Sequence, residues 1–208
     1  MMENIKPMDI EKRSFAIITE LLGERTLPPE NELVIKRVIH TTADFDYVDN
    51  LAFSDHAVEK GIAALRAGCD IVTDTQMAKA GINKSILASL GGEVHCFMSD
   101  ADVAAEAKAR GVTRAFVSME RAAALEKPCI FAIGNAPTAL FSLEALMETG
   151  KLHPALIIGV PVGFVNVVES KERIIEAAAA PYIVARGRKG GSNVAAAICN
   201  AMLYQIRR

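Results

Sequence analysis

The chain has 208 residues, of which 51% are hydrophobic and 23% charged, with a net charge of −2. That length suits one domain, or two very small ones, and lets a core bury roughly 70% of the unfolded chain's surface. These figures exclude a disordered tail protein and a basic nucleic-acid binder, four cysteines are too few for a disulfide scaffold, and the absence of Trp argues against a base-stacking platform.

The first predicted helix opens at Asp9, a candidate N-cap, with Glu11 in the first turn and apolar Ile10, Phe15, Ile17, Ile18, Leu21 and Leu22 before Gly23. Lys12 stands where a capping box needs Glu or Gln, so the start signal is partial. A loop, ERTLPP, leads to a second helical pattern from about Pro29 to His40, and TTADFDYVDN (41–50) reads as loop. From Leu51 onward short apolar runs alternate with helical segments. LAF, CDIVTD, EVHCFM, PCIFAIG, ALIIGVP and YIVAR read as strands; 54–67, 83–90, 100–110, 118–126, 136–149, 170–179 and 192–206 read as helices. Ser54, Ser170 and Ser192 look like helix starts. Glycine-bounded apolar strands separated by helices predict an α/β fold: a three-layer α/β/α domain with a mainly parallel sheet and helices on both faces, preceded by two N-terminal helices. Residues 1–208 are read as one domain, 1–50 carrying the N-terminal helices and 51–208 the α/β core.

The N-terminus is polar and lacks a signal-peptide core. The most apolar run, Ala155 to Val168, is shorter than the about 20 residues a bilayer needs and contains Pro161 and Asn166. Cys69, Cys96, Cys129 and Cys199 lack C-x-x-C spacing and sit among apolar neighbours, as small core residues do. No metal site is expected, and the expected location is cytoplasmic, with no membrane partner.

In an open parallel sheet, ligands bind beyond the carboxyl ends of the strands, near the point where strand order reverses. Four segments fall there: TDTQMAKAG (73–81), GNAPTAL (134–140), GVPVGF (159–164) and RGRKGGSN (186–193). GNAPTAL runs from strand into helix, so its backbone N–H groups are placed to receive an anion. RGRKGGSN combines Arg186, Arg188 and Lys189 with three glycines ahead of a helix. Plain turns are the alternative at Gly134–Asn135 and Gly190–Gly191. No G-x-G-x-x-G follows the first strand and no G-x-x-x-x-G-K-[ST] occurs, so the usual nucleotide signatures are absent.

His56 and His153 suit surface or capping positions, and His95, inside VHCFM, suits a satisfied core position. His40 differs. It falls at the end of the second helix, where the helix dipole favours a cation, with Arg37 on the same face and Asp44 and Asp46 close behind. Such an imidazole can give and take one proton.

The run ELVIKRVIHTTADFDY (32–47) resembles the region around the active-site histidine of the precorrin-8X methylmutases of cobalamin biosynthesis. The resemblance extends in order through SDHAVEKGIAALRAGCDIVTDTQM, GNAPTAL, GVPVGFVNVVESK and RGRKGGSNVAAAICNA, nearly the whole chain. Ala78 departs from the form expected in TDTQMAKAGI. The resemblance implies transfer of one methyl group from C-11 to C-12 of precorrin-8X or its cobalt form, without redox chemistry or an external cofactor. His40 matches the histidine that assists a [1,5]-sigmatropic shift as proton donor and acceptor. Ser14 and Arg37 match substrate-binding positions. Thr75, Met77, Asn135, Arg186, Lys189 and Ser192 are further substrate-binding candidates by location and motif. The expected partner is the corrinoid macrocycle, bound by a homodimer near the subunit interface. A non-catalytic corrinoid carrier, and a nucleotide enzyme using RGRKGGSN as a phosphate loop, stand as alternatives.

Overall fold

A computed structural model describes residues 9–207. The N-terminal region supplies α1 (Ile10–Leu22), α2 (Glu32–Thr42) and the short α3 (Tyr47–Asn50), the last lying within the segment read as loop. Then follow β1 (Leu51–Phe53), α4 (Ala57–Arg66), β2 (Asp70–Thr73), α5 (Gln76–Gly81), α6 (Lys84–Ser89) and β3 (Val94–His95). The chain continues through α7 (Ala101–Arg110), α8 (Arg114–Ala122), β4 (Cys129–Ile133) and α9 (Pro137–Glu148). It ends with β5 (Leu156–Gly159), α10 (Val167–Ala177), β6 (Tyr182–Ala185) and α11 (Ser192–Arg207).

The six strands form one sheet in the order β1-β6-β5-β4-β2-β3. All neighbours are parallel except the edge pair β1–β6. Alternating side chains divide the core between the two faces. Ile130, Ala132, Leu156, Ile158, Ile183 and Ala185 pack with α1, α2, α4, α5, α6 and α11. Phe131, Ile133, Ile157 and Val184 pack with α8, α9 and α10 on the opposite face. The predicted three layers are therefore present. Alanines make α11 narrow: Ala195, Ala196, Ala197 and Ala201 are buried, and the helix touches α2, α4, α5 and α6 as well as the sheet. Among the described residues no helix is long and apolar enough to cross a membrane.

All six predicted strands are found, but several helix starts move. Asp9 precedes α1 without a side-chain cap bond. Ser54 caps nothing; its Oγ accepts the Tyr182 N–H at 2.9 Å, tying the β1 end to β6, and α4 starts after His56 in the left-handed region (φ 57°). Ser170 lies inside α10, where Oγ donates to the Val167 carbonyl at 3.0 Å, and the helix starts after Asn166 (φ 58°). Thr113 opens α8 five residues ahead of Ser118 by accepting the Phe116 N–H. That helix stops at Ala122, short of Pro128, whose ring disfavours helical geometry in the residue before it. The segment 75–81, for which no helix is predicted, contains α5, opened by Thr75 Oγ1 accepting the Ala78 N–H at 3.1 Å.

Gly134 follows β4 directly and lies against the start of α11. A Cβ there would lie 2.7 Å from Ser192 Cα and 2.8 Å from Ser192 N, both backbone atoms with no freedom to move aside. Gly134→Ala is therefore expected to destabilise the fold by about 1–3 kcal/mol, the usual cost of overpacking. A urea midpoint equal to wild type would show that α11 shifts without penalty.

Candidate functional site

Strand order reverses between β2 and β4, because β3 follows β2 on one side and β4 lies on the other. The crevice expected at such a switch point is filled by the protein itself. Asp74, fully buried just beyond β2, accepts N–H groups from Gly134 at 2.8 Å, Asn135 at 2.8 Å and Ala136 at 2.6 Å. The N–H groups of GNAPTAL thus do receive an anion, but it is the Asp74 carboxylate rather than a ligand. Burial pushes the Asp74 carboxyl above its usual range, while the three N–H donors pull it down. Beside it Thr75 Oγ1 and Ser192 Oγ are hydrogen-bonded at 2.7 Å, joining the starts of α5 and α11. Asn135 is exposed at this edge, and Met77 on α5 is 71% exposed.

A second group sits on α1 and α2. His40 is exposed on the last turn of α2, and its ring meets the edge of Phe15 at a centroid distance of 5.9 Å. Arg37, one turn earlier, donates to both Glu11 oxygens at 3.0 and 2.6 Å. Its guanidinium carbon lies 5.2 Å from the Phe15 ring centroid and 4.9 Å from that of Tyr204. Arg37 therefore clamps α1 and α11 onto α2 by a bidentate ion pair and two cation–π contacts. Its Nε is buried without a hydrogen-bond partner among the described residues. Ser14 is half-buried in α1, next to Phe15.

The two groups are tied together by Lys189. Ala43 closes α2 in the left-handed region (φ 54°) and turns the chain outward. Asp44 and Asp46 then each accept from Lys189 Nζ at 2.6 Å. Lys189 lowers the Asp44 pKa, and the two aspartates raise that of Lys189. The acidic pair behind His40 thus bonds the loop ahead of α11. Arg186 is exposed, with Glu172 at 3.7 Å.

That loop is held from beneath as well. Lys171 is fully buried in α10, and its Nζ donates to the carbonyls of Gly187 at 2.9 Å and Lys189 at 2.8 Å. Burial pulls its pKa down to about 8. Gly191 N–H donates to the Val160 carbonyl at 2.9 Å, and Gly190 lies so close to that carbonyl that a side chain would not fit. Apolar Val162, Phe164 and Val165 are exposed in the segment between β5 and α10, Phe164 by 84%. The other histidines lie outside both groups: His95 Nε2 pairs with buried Asp70 at 3.0 Å, and His56 pairs with Glu59 on the surface. The four cysteines are free and buried, and burial raises the thiol pKa of Cys69 and Cys199 to about 12 and of Cys129 to about 11.

Asp74 and Lys171 were not singled out in the sequence, and Glu11 was read there only as an acidic residue at a helix start. Asp74 had one signal, a carboxylate between a buried strand and a helix start. Lys171 had none, because it reads as one more charge in a polar helical segment.

The description precorrin-8X methylmutase belongs to the family model that matches residues 9–205. The chain belongs to that family. Its members are intramolecular transferases of cobalamin biosynthesis. The chain is 49% identical to a cobalt-precorrin-8 methylmutase of Salmonella typhimurium, covering 97% of each. It is 41% identical to a precorrin-8X methylmutase of Pseudomonas aeruginosa, covering 93% of each. A crystal structure of the precorrin-8X methylmutase from Thermus thermophilus superposes with a TM-score of 0.86 at 37% identity, covering 96% of this chain and 98% of that one.

Two tests follow from these bonds. Asp74→Asn places an amide N–H₂ among three N–H donors, and is expected to cost at least about 2 kcal/mol in urea denaturation; no loss would mean that the loop stands without the carboxylate. For Lys171, the folded pKa of about 8 lies below the ordinary 10.5, so the unfolded chain holds more protons between those values. Stability therefore rises with pH in that window and is lower below it. Wild type should gain about 2 kcal/mol over Lys171→Met between pH 7 and 9.5, read from urea midpoints. A constant difference would contradict the buried charge.

Proposed function

We propose that this chain moves the methyl group from C-11 to C-12 of precorrin-8X or cobalt-precorrin-8, with His40 as the group that donates a proton to the macrocycle and recovers it. The observation that carries this reading is the position of His40. Its exposed imidazole stands on the last turn of α2, and the loop immediately behind it is bonded to the cationic segment at the carboxyl edge of the sheet. A proton donor and a surface for anionic groups thus belong to one continuous face.

The chemistry asks little of the protein. Protonation of the conjugated ring draws electron density from the migrating centre, and a rigid surface holds the macrocycle in the geometry of the shift. Delivery of that proton belongs to His40. The acetate and propionate side chains require local donors rather than a net positive charge, and Ser14, Asn135, Arg186 and the Thr75–Ser192 pair are the groups we assign to them, while Lys189, already bonded to Asp44 and Asp46, holds the loop behind His40. Met77 offers an exposed, adaptable apolar contact for the flat ring. Arg37 already satisfies Glu11, so its part in binding is to hold α1, and with it Ser14, against α2, where Phe15 meets the His40 ring.

The enzyme is proposed to work as a homodimer in the cytoplasm. Ile10, Ile17 and Leu21 expose an apolar stripe on α1, and Val162, Phe164 and Val165 expose a second patch. Both are surfaces that a second copy would cover.

The reading is tested by visible spectra of enzymatically generated precorrin-8, with and without cobalt. Wild type is expected to convert the pigment. His40→Ala should bind it within about threefold of wild type yet turn over at least about 100-fold more slowly, the usual range for loss of a general acid. Equal rates would remove His40 from the chemistry, and binding without conversion by wild type would leave a carrier. Arg37→Ala should accelerate amide hydrogen exchange in α1, and unchanged exchange there would show that the clamp is not needed.

A further inference from the structure

Lys171 is a costly residue for its position. Among the described residues no carboxylate lies in hydrogen-bond reach of this ammonium, which is fully buried on α10 against the loop that follows β6, where Met or Leu would fill the space without desolvation. What it does there is specific. Its two hydrogen bonds satisfy the carbonyls of Gly187 and Lys189 and fix the backbone of the loop between them. Lys189 is therefore gripped at both ends: its carbonyl by Lys171 from inside, its ammonium by Asp44 and Asp46 from outside. Those aspartates follow His40 by four and six residues, across the strained Ala43 turn. A continuous chain of hydrogen bonds thus runs from the interior of α10 to the segment that carries His40.

We propose that Lys171 is a positioning residue for this site: through the Lys189 backbone and the Lys189–Asp44/Asp46 bridge, it fixes the loop behind His40 relative to the carboxyl edge of the sheet. This inference rests on the function proposed above for His40, but the mechanical link can be measured without turnover. Misplacing a reacting group by about 1 Å costs on the order of 100-fold in rate, so a modest loosening is enough to be seen in kcat.

The experiment compares wild type, Lys171→Met and the double substitution Asp44→Asn/Asp46→Asn, using hydrogen–deuterium exchange of the free proteins and steady-state kinetics with precorrin-8. Lys171→Met should speed exchange at least about tenfold in residues 186–191 and also in residues 41–47. It should lower kcat about tenfold or more while KM changes less than about threefold. The aspartate double substitution should reproduce the kcat loss, and adding Lys171→Met to it should lower kcat less than about twofold further. Exchange confined to residues 186–191, an unchanged kcat, or additive losses would overturn the proposal. If Lys171→Met fails to fold, Lys171→Gln, which keeps one donor, should give a smaller change in the same two segments. If neither folds, an unchanged kcat in the aspartate double substitution overturns it. Absence of turnover in wild type would refute the proposed function alone, leaving the exchange pattern to decide the link.

Discussion

The bond set of Asp74 is the constraint around which the site is arranged. A parallel sheet leaves its most receptive pocket at the switch point, here between β2 and β4. Three converging N–H groups would bind any anion of the right size, and the chain supplies its own. This has two consequences. The end of β4 is locked against the start of α11, so that Gly134, Thr75 and Ser192 form one rigid corner. In the function proposed for this chain, the ligand-accepting surface lies further out, at α2 and the loop after β6, which Lys189 joins. A large flat macrocycle suits such an edge better than a narrow crevice.

The outer surface is then built from bridges rather than from free charges. Arg37 joins α1, α2 and α11, while Lys189 joins the loop behind His40 to the loop ahead of α11. Exposed ion pairs contribute little to stability on their own. Lys189, with its side chain 45% exposed, belongs to that class, so its value lies in geometry rather than stability. Lys171 is the opposite case, since its burial lowers stability at neutral pH, and the two carbonyls it satisfies, with the charge of nearby Glu172, offset part of that cost.

The layered fold was readable because it rests on local patterns. Short apolar strands bounded by glycine identify themselves, and all six lie where the sequence places them. Helix starts were less readable where serine misled: Ser54 and Ser170 resemble caps but bond elsewhere, while Thr75 and Thr113 cap α5 and α8. Of the site, the motifs mark out His40, Arg37 and the cationic loop. Their partners are another matter, because Glu11, Asp74 and Lys171 act over separations of 26, 60 and 18 residues. A single sequence gives no rule for which charge meets which backbone group across such distances. A buried lysine and an exposed one look alike in an amphipathic helix.

The measurement that tests this account most directly is a crystal structure with the reaction product bound. The macrocycle should lie against α2 and the loop ahead of α11, with the His40 imidazole within hydrogen-bond distance of the ring and Asp74 still holding the three N–H groups. A product carboxylate on the N–H groups of Gly134, Asn135 and Ala136, with Asp74 displaced and His40 distant, would contradict it.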